Sequence, residues 1–205
     1  MLSRRTKKAW QLSLWRLLLI IVLILMTIAV VFIINNPTPL AKDATVITVI
    51  EKPKVTVGLP IRLKILVISV DAVIKYSSLT PDGEMGTADG INEVAWYQSG
   101  PRPGEIGSSV IAGHYGWFNG KGSVFNNLHN LAVGDEINVV DDKGVSTTFI
   151  VRESRKYNPD ADASSVFYSN DSKAHLNLIT CDGTWINSKN TYSDRLVFFT
   201  DKKES

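Results

Sequence analysis

Hydrophobic and polar positions follow two different patterns along the chain. From Leu17 to Ile34 runs LLLIIVLILMTIAVVFII, 18 residues with no charge and with Thr27 as its one mildly polar member. At about 1.5 Å rise per residue, this run with its flanks spans a hydrocarbon layer of roughly 30 Å, so a single N-terminal transmembrane helix is expected over 17–34. Beyond residue 53 the pattern becomes short β-rich runs broken by turn residues. Strands are expected near Val55–Ile65, Leu66–Lys75, Val94–Gln98, Ser108–Gly113, Glu136–Asp141, Ser146–Tyr157, Leu176–Cys181 and Arg195–Thr200. Asp82-Gly83, Pro103-Gly104 and Gly134-Asp135 punctuate them, and Asp141-Asp142-Lys143-Gly144 reads as a hairpin turn. Val124, Phe125, Leu128 and Leu131 fit a helical stripe, which predicts a short helix over Ser123–Leu131 with Ser123 as its N-cap. Short strands with little helix argue for a mainly β fold, either a sandwich or a closed barrel.

Charge fixes the expected topology. Arg4, Arg5, Lys7, Lys8 and Arg16 precede the apolar run with no acid among them, which places the N-terminus in the cytoplasm and the rest outside. A cleaved signal peptide is the competing reading. The run is longer than such a core, and NNPTPL follows it in place of a small-x-small site. The expected organisation is a basic segment over 1–16, an anchor over 17–34, a linker with three prolines over 35–53 and an extracytoplasmic domain over 54–205. Five of the 22 Lys and Arg residues belong to the basic flank, leaving 17 against 20 acids, so the positive net charge says nothing of nucleic acid.

The chemistry centres on LITCDG, 178–183, which holds the only cysteine of 205 residues. A leftover thiol outside the cytoplasm points to a reactive group or an intermolecular bond, and a buried inert side chain is the plain alternative. A cysteine nucleophile needs an acid–base partner and a group that stabilises negative charge. His129 and His175 stand among polar residues and read as solvated. His114 ends the apolar run SSVIAGH before the aromatic YGWF, a strand-to-loop position suited to catalysis, although a rim histidine with no such role has the same appearance. Cys181 closes one expected strand and Arg195 opens the next, so antiparallel pairing sets both at one rim. Arg195 keeps its charge at any working pH, and a salt bridge with Asp194 or another surface acid is its alternative use. The expected 13-residue loop between them carries Trp185 and Tyr192, which either line a peptide groove or pack the loop onto the barrel. Zinc-ligand spacings, H-E-x-x-H, G-x-S-x-G and phosphate-binding glycine loops are absent, so no metal or cofactor is expected.

The chain resembles the sortases, membrane-anchored cysteine transpeptidases of bacterial cell surfaces, and within them the class F branch. VDAVI (70–74), LTPDGEMG (79–86), VAWYQSGPRPGEIGSSVIAGH (94–114), GSVFNNLHNLAVGDEI (122–137), LITC (178–181) and YSDRLVFFT (192–200) occur in the family's order. The resemblance covers roughly Ile61 to Thr200. It implies an eight-stranded β-barrel with one or two short helices, and a catalytic set of Cys181, His114 and Arg195. It also implies a two-step acyl transfer without a cofactor. Cys181 opens an LPxTG-like sorting signal, and an amine acceptor such as a peptidoglycan precursor takes up the acyl group. Thr180 occupies a position whose hydroxyl is sometimes placed near the intermediate, and a strand-favouring threonine is the alternative. A binding module on a degenerate barrel and a cell-wall peptidase that prefers water are the competing functions. Asp182, directly after Cys181, disfavours a thiolate, whereas Arg195 and a protonated His114 favour it.

Overall fold

A computed structural model describes residues 20–32, 56–81 and 83–204. Residues 20–32 form helix α1 with every side chain exposed. The rest of the expected anchor, 17–19 and 33–34, lies outside the described residues, as do the expected basic segment 1–16 and linker 35–53. Among the described residues no helix is long and apolar enough to cross a membrane. The segment from Lys54 to Ser205 forms its own compact unit.

That unit is a closed barrel. Its strands are β1 (Pro60–Ile65), β2 (Val70–Ser77), β3 (Val94–Tyr97), β4 (Gly107–Gly113), β7 (Glu136–Asp141), β8 (Ser146–Tyr157), β9 (Ala174–Ile186) and β10 (Thr191–Lys202). Around the barrel they run β1-β2-β3-β4-β9-β10-β8-β7, and β7 closes back on β1. The β2–β3 and β4–β9 pairs are parallel, and the other neighbours are antiparallel. Two short strands, β5 (Trp117–Phe118) and β6 (Lys121–Gly122), make a separate hairpin after His114. One helical turn, α2 (Ser164–Phe167), lies between β8 and β9. The mainly β barrel with few short helices is thus as expected, and closure removes the exposed edges of an open sheet.

Alternation along each strand sends one set of side chains inward. Leu63, Ile65, Ile111, Ile137, Phe149, Leu176 and Leu178 are fully buried there and pack with Phe198 into the main core. Burying a side chain of this kind stabilises the fold by about 1.5–3 kcal/mol. A second, smaller cluster forms on the outer wall, where Val110, Val197 and Phe199 pack against Val166 of α2. Strands β4, β9 and β10 are therefore covered on both faces, which explains why SSVIAG, LNLIT and RLVFF read as nearly continuous apolar runs. These are the strands that carry or lead to His114, Cys181 and Arg195.

The structure corrects several expectations. The segment 66–75 is divided: Leu66–Ile68 is a short 3-10 turn, and Ser69, at φ 57°, redirects the chain into β2. The helix expected over Ser123–Leu131 is a series of turns with one 3-10 turn at Leu128–Asn130. Its apolar stripe is real, since Phe125, Leu128 and Leu131 are buried, but tertiary packing holds it. Ser123 is not an N-cap; its hydroxyl donates to the carbonyls of both His114 and Gly116 at 2.9 Å. The loop expected over 182–194 is mostly strand. Strands β9 and β10 continue as a hairpin with a tight turn at 187–190, ending on Asn190 in the left-handed region.

Candidate active site

Cys181 and Arg195 are direct cross-strand partners in the antiparallel β9–β10 pair. Directly opposed residues share a face, so the thiol and the guanidinium project together from the outer wall of the barrel. Ile179 and Val197, two residues away on each strand, share that face and pack in the outer cluster. Strand β4 lies on the other side of β9 in parallel, with Ala112 beside Ile179. The next pair of positions is locked by a hydrogen bond: the Thr180 hydroxyl donates to the Gly113 carbonyl at 2.9 Å. His114 and Cys181 each follow immediately, so three adjacent strands bring His114, Cys181 and Arg195 to one rim.

The backbone beneath His114 is held from below. Phe125 N–H donates to its carbonyl at 3.0 Å, and Ser123 adds the two hydroxyl contacts described above. The imidazole Nε2 lies 2.7 Å from the Ala88 carbonyl, and Phe118 meets the ring edge-on at 6.2 Å. Thr180 is buried and its hydroxyl is committed to Gly113, so it ties the strand bearing the thiol to the one leading to His114.

Among the described residues the Arg195 guanidinium meets only neutral acceptors. Nη1 donates to the carbonyls of Asp194 at 3.1 Å and Tyr192 at 3.3 Å, and Nη2 donates to the Thr191 hydroxyl at 3.1 Å. Among the described residues it forms no ion pair, and the Asp194 carboxylate accepts from Ser193 instead. A positive charge without a carboxylate partner thus stands beside the thiol. Burial pushes the Cys181 thiol up from its ordinary range, and the Arg195 charge opposes that rise without cancelling it.

Asp182 does not share the face of Cys181. Strand alternation turns it to the opposite side, where the Lys156 ammonium lies 2.7 Å from its Oδ2. The contact is one of charge and not an aligned hydrogen bond. Gly183, at φ 83°, then forms a bulge opposite Ser193; a Cβ there would lie 2.2 Å from the Ser193 hydroxyl. The partnership of Lys156 with Asp182 is not legible in the sequence, because the two are 26 positions apart and meet only through the order β9-β10-β8.

Trp185 and Tyr192 are opposed across β9–β10, with ring centroids 5.1 Å apart, and Tyr115 stacks edge-on against Tyr192 at 5.3 Å. The Tyr192 hydroxyl fills the place of a side chain at Gly116, whose φ of 101° also favours glycine. The rings thus pack on one another beside the rim, and Trp185 keeps 44% of its surface exposed. A groove of about 500 Å³ opens on Cys181 and Arg195, lined by Leu79, Met85, Tyr97, Phe167, Ile179 and Val197. A larger depression, about 940 Å³, is lined by residues such as Ser172, Lys173 and Lys202 and includes none of Cys181, His114 and Arg195. Chemistry, not size, selects the smaller one.

The other histidines take no part in this site. His129 is exposed, as read from its neighbours. His175 is not solvated: it is 5% exposed, and its ring nitrogens face Asp201 at 2.8 Å and Asp171 at 2.9 Å.

A model of the sortase domain matches residues 63–203, well over half of the chain. The chain belongs to the sortase family. It is therefore a sortase in the general sense, one of a family of cysteine transpeptidases. Solved structures agree on the fold. A sortase D5 transpeptidase of Clostridium perfringens is 24% identical, with a TM-score of 0.53 over 72% of this chain and 79% of that one. Sortase C-1 from Actinomyces oris is 22% identical, with a TM-score of 0.56 over 70% and 73%. Sortase A from Corynebacterium diphtheriae is 20% identical, with a TM-score of 0.55 over 74% and 64%. The search of curated proteins gave no match.

Proposed function

We propose that this sortase cleaves an LPxTG-like sorting signal through a thioester at Cys181 and passes the acyl group to a cell-surface amine. The observation that carries this is the register pair Cys181–Arg195, with a guanidinium that no carboxylate neutralises among the described residues. The peptide enters along the groove that Cys181 and Arg195 help to line. The Cys181 thiolate attacks the threonine carbonyl carbon, and Arg195 donates to the oxyanion that forms. Protonated His114 gives its proton to the departing amine as the C–N bond breaks, leaving the thioester. An incoming amine attacks that thioester and loses a proton to His114, and Cys181 departs as thiolate. Water in place of the amine gives hydrolysis as a side reaction. Within the family we read the chain as nearest the class F branch, on the resemblance of its motifs.

The apolar run 17–34 and its basic flank support a single-pass anchor, with the barrel on the extracytoplasmic side. The acceptor is then an amine of the cell envelope, such as a peptidoglycan precursor. The direct test is mass spectrometry of the full chain in detergent, incubated with an LPxTG peptide. An adduct with the mass of the acylated fragment is expected on Cys181 and is absent from Cys181→Ala. Cleavage by Cys181→Ala, or a wild-type protein that no sorting peptide acylates, sinks the reading. Turnover with and without an added amine separates transfer from hydrolysis.

A further inference from the structure

The contact at His114 Nε2 is the structure's most specific statement about proton transfer. A carbonyl oxygen only accepts, so at 2.7 Å from the Ala88 carbonyl Nε2 carries the hydrogen. The neutral ring then has its lone pair on Nδ1. Ala88 is 6% exposed, and the segment that presents it is built to hold that carbonyl in place. The Ser77 hydroxyl donates to the Gly86 carbonyl at 2.8 Å, and Gly86 N–H donates to the Ser78 carbonyl at 3.1 Å. Past Ala88, Val124 N–H donates to the Ile91 carbonyl at 2.8 Å, which ties the segment to the chain that follows His114. The His114 backbone is fixed independently by Ser123 and Phe125. Ring and backbone are thus both anchored, and the ring's anchor is a main-chain oxygen that no side-chain motif reveals.

We infer that the Ala88 carbonyl is the positioning group for His114: it holds the imidazole as the Nε2–H tautomer and directs proton exchange with amines through Nδ1. The carbonyl touches neither substrate nor thiol and acts only through the ring. This rests on the acyl-transfer reading above, in which His114 must protonate a poor amine leaving group.

The test weakens one acceptor without changing a side chain. Replacing Asp89 by its α-hydroxy acid in the full chain turns the 88–89 amide into an ester, whose carbonyl accepts hydrogen bonds less well. Nitrogen NMR of the histidine-labelled chain in detergent, with His114→Gln used for assignment, reads the tautomer. A protonated Nε2 and an unprotonated Nδ1 are expected at His114, with a mixture of the two tautomers in the ester variant. Acylation by an LPxTG peptide amide should slow about tenfold. Acylation by the p-nitrophenyl ester of the same acyl sequence should stay within about twofold, because nitrophenolate leaves without a proton. Ser77→Ala, which frees the Gly86 carbonyl and loosens the same segment, should shift the tautomer and the substrate ratio in the same direction. A wild-type ring protonated on Nδ1 overturns the inference. So does an ester variant with an unchanged tautomer, or with amide and activated ester slowed equally. If the wild type acylates with neither substrate, the acyl-transfer reading fails, while the tautomer measurement still decides the Ala88 contact.

Discussion

Lys156 neutralises Asp182 from the face of β9 opposite Cys181, with 2.7 Å between ammonium nitrogen and carboxylate oxygen. This resolves the apparent conflict within LITCDG. A carboxylate next to a nucleophilic thiol should oppose ionisation, yet alternation separates the two side chains and Lys156 offsets the charge. Removing that ammonium in Lys156→Met leaves Asp182, 14% exposed, with an uncompensated charge close to the thiol. The Cys181 titration midpoint should rise, and iodoacetamide alkylation at neutral pH should slow by about threefold or more. Lys156→Met with Asp182→Asn should restore the rate. Equal rates in wild type and single variant across the pH range dispose of this account.

Among the described residues Arg195 is the one charge that opposes burial at the thiol. Burial raises the thiol's pKa and Arg195 lowers it, so Arg195→Met should move the thiolate midpoint to higher pH. Activity on the rising, alkaline-going limb should shift the same way. On the proposed mechanism, in which Arg195 donates to the oxyanion, its loss should also cost about 10²–10³ in acylation rate even where the thiolate is fully formed. A pH profile of acylation checks both effects. A variant whose rate recovers completely at high pH would show that Arg195 acts on the thiol alone.

The positions of most strands are legible in the sequence, their order around the barrel is not, and the failures have common causes. Strands β7 and β8 lie where expected because the Asp141–Gly144 turn and alternating positions mark them. The far half of the β9–β10 hairpin was hidden because DGTWINSKNTYSD is polar and turn-rich. A bulge at Gly183 and a positive φ at Asn190 let the strands continue through it. His175 looked solvated from its neighbours in sequence, but Asp201 covers it from the end of β10. Lys156 and Ala88 are illegible for the same reason: each makes a contact that only barrel closure or loop packing creates.

Asp141 makes an acid-sensitive lock on the start of the barrel. Burial pushes its carboxyl up, but backbone N–H donors from Val145, Gly58 and Lys143 outweigh that and hold it below the usual range. A carboxyl lowered by folding adds stability above its unfolded pKa of about 3.9 and loses it as pH falls through the folded value. Asp141→Asn should therefore cost about 2 kcal/mol at pH 7 and progressively less below about pH 4. Urea unfolding at the two pH values measures the gap. A gap that stays constant assigns the cost to shape instead of charge.

Gly113 tests how closely packing controls His114. A Cβ at this residue would stand 2.4 Å from the ring of Phe125, which is fully buried and cannot swing outward. Phe125 N–H also bonds the His114 carbonyl, so pushing the ring away drags the backbone of His114 with it. Gly113→Ala should lose about 1–3 kcal/mol of stability, as overpacking does. It should also slow acylation by the peptide amide by more than the unfolded fraction explains. Gly113→Ala with Phe125→Leu makes room at the same place and should recover part of both losses. If the single variant keeps full activity per folded molecule, Phe125 does not set the position of His114.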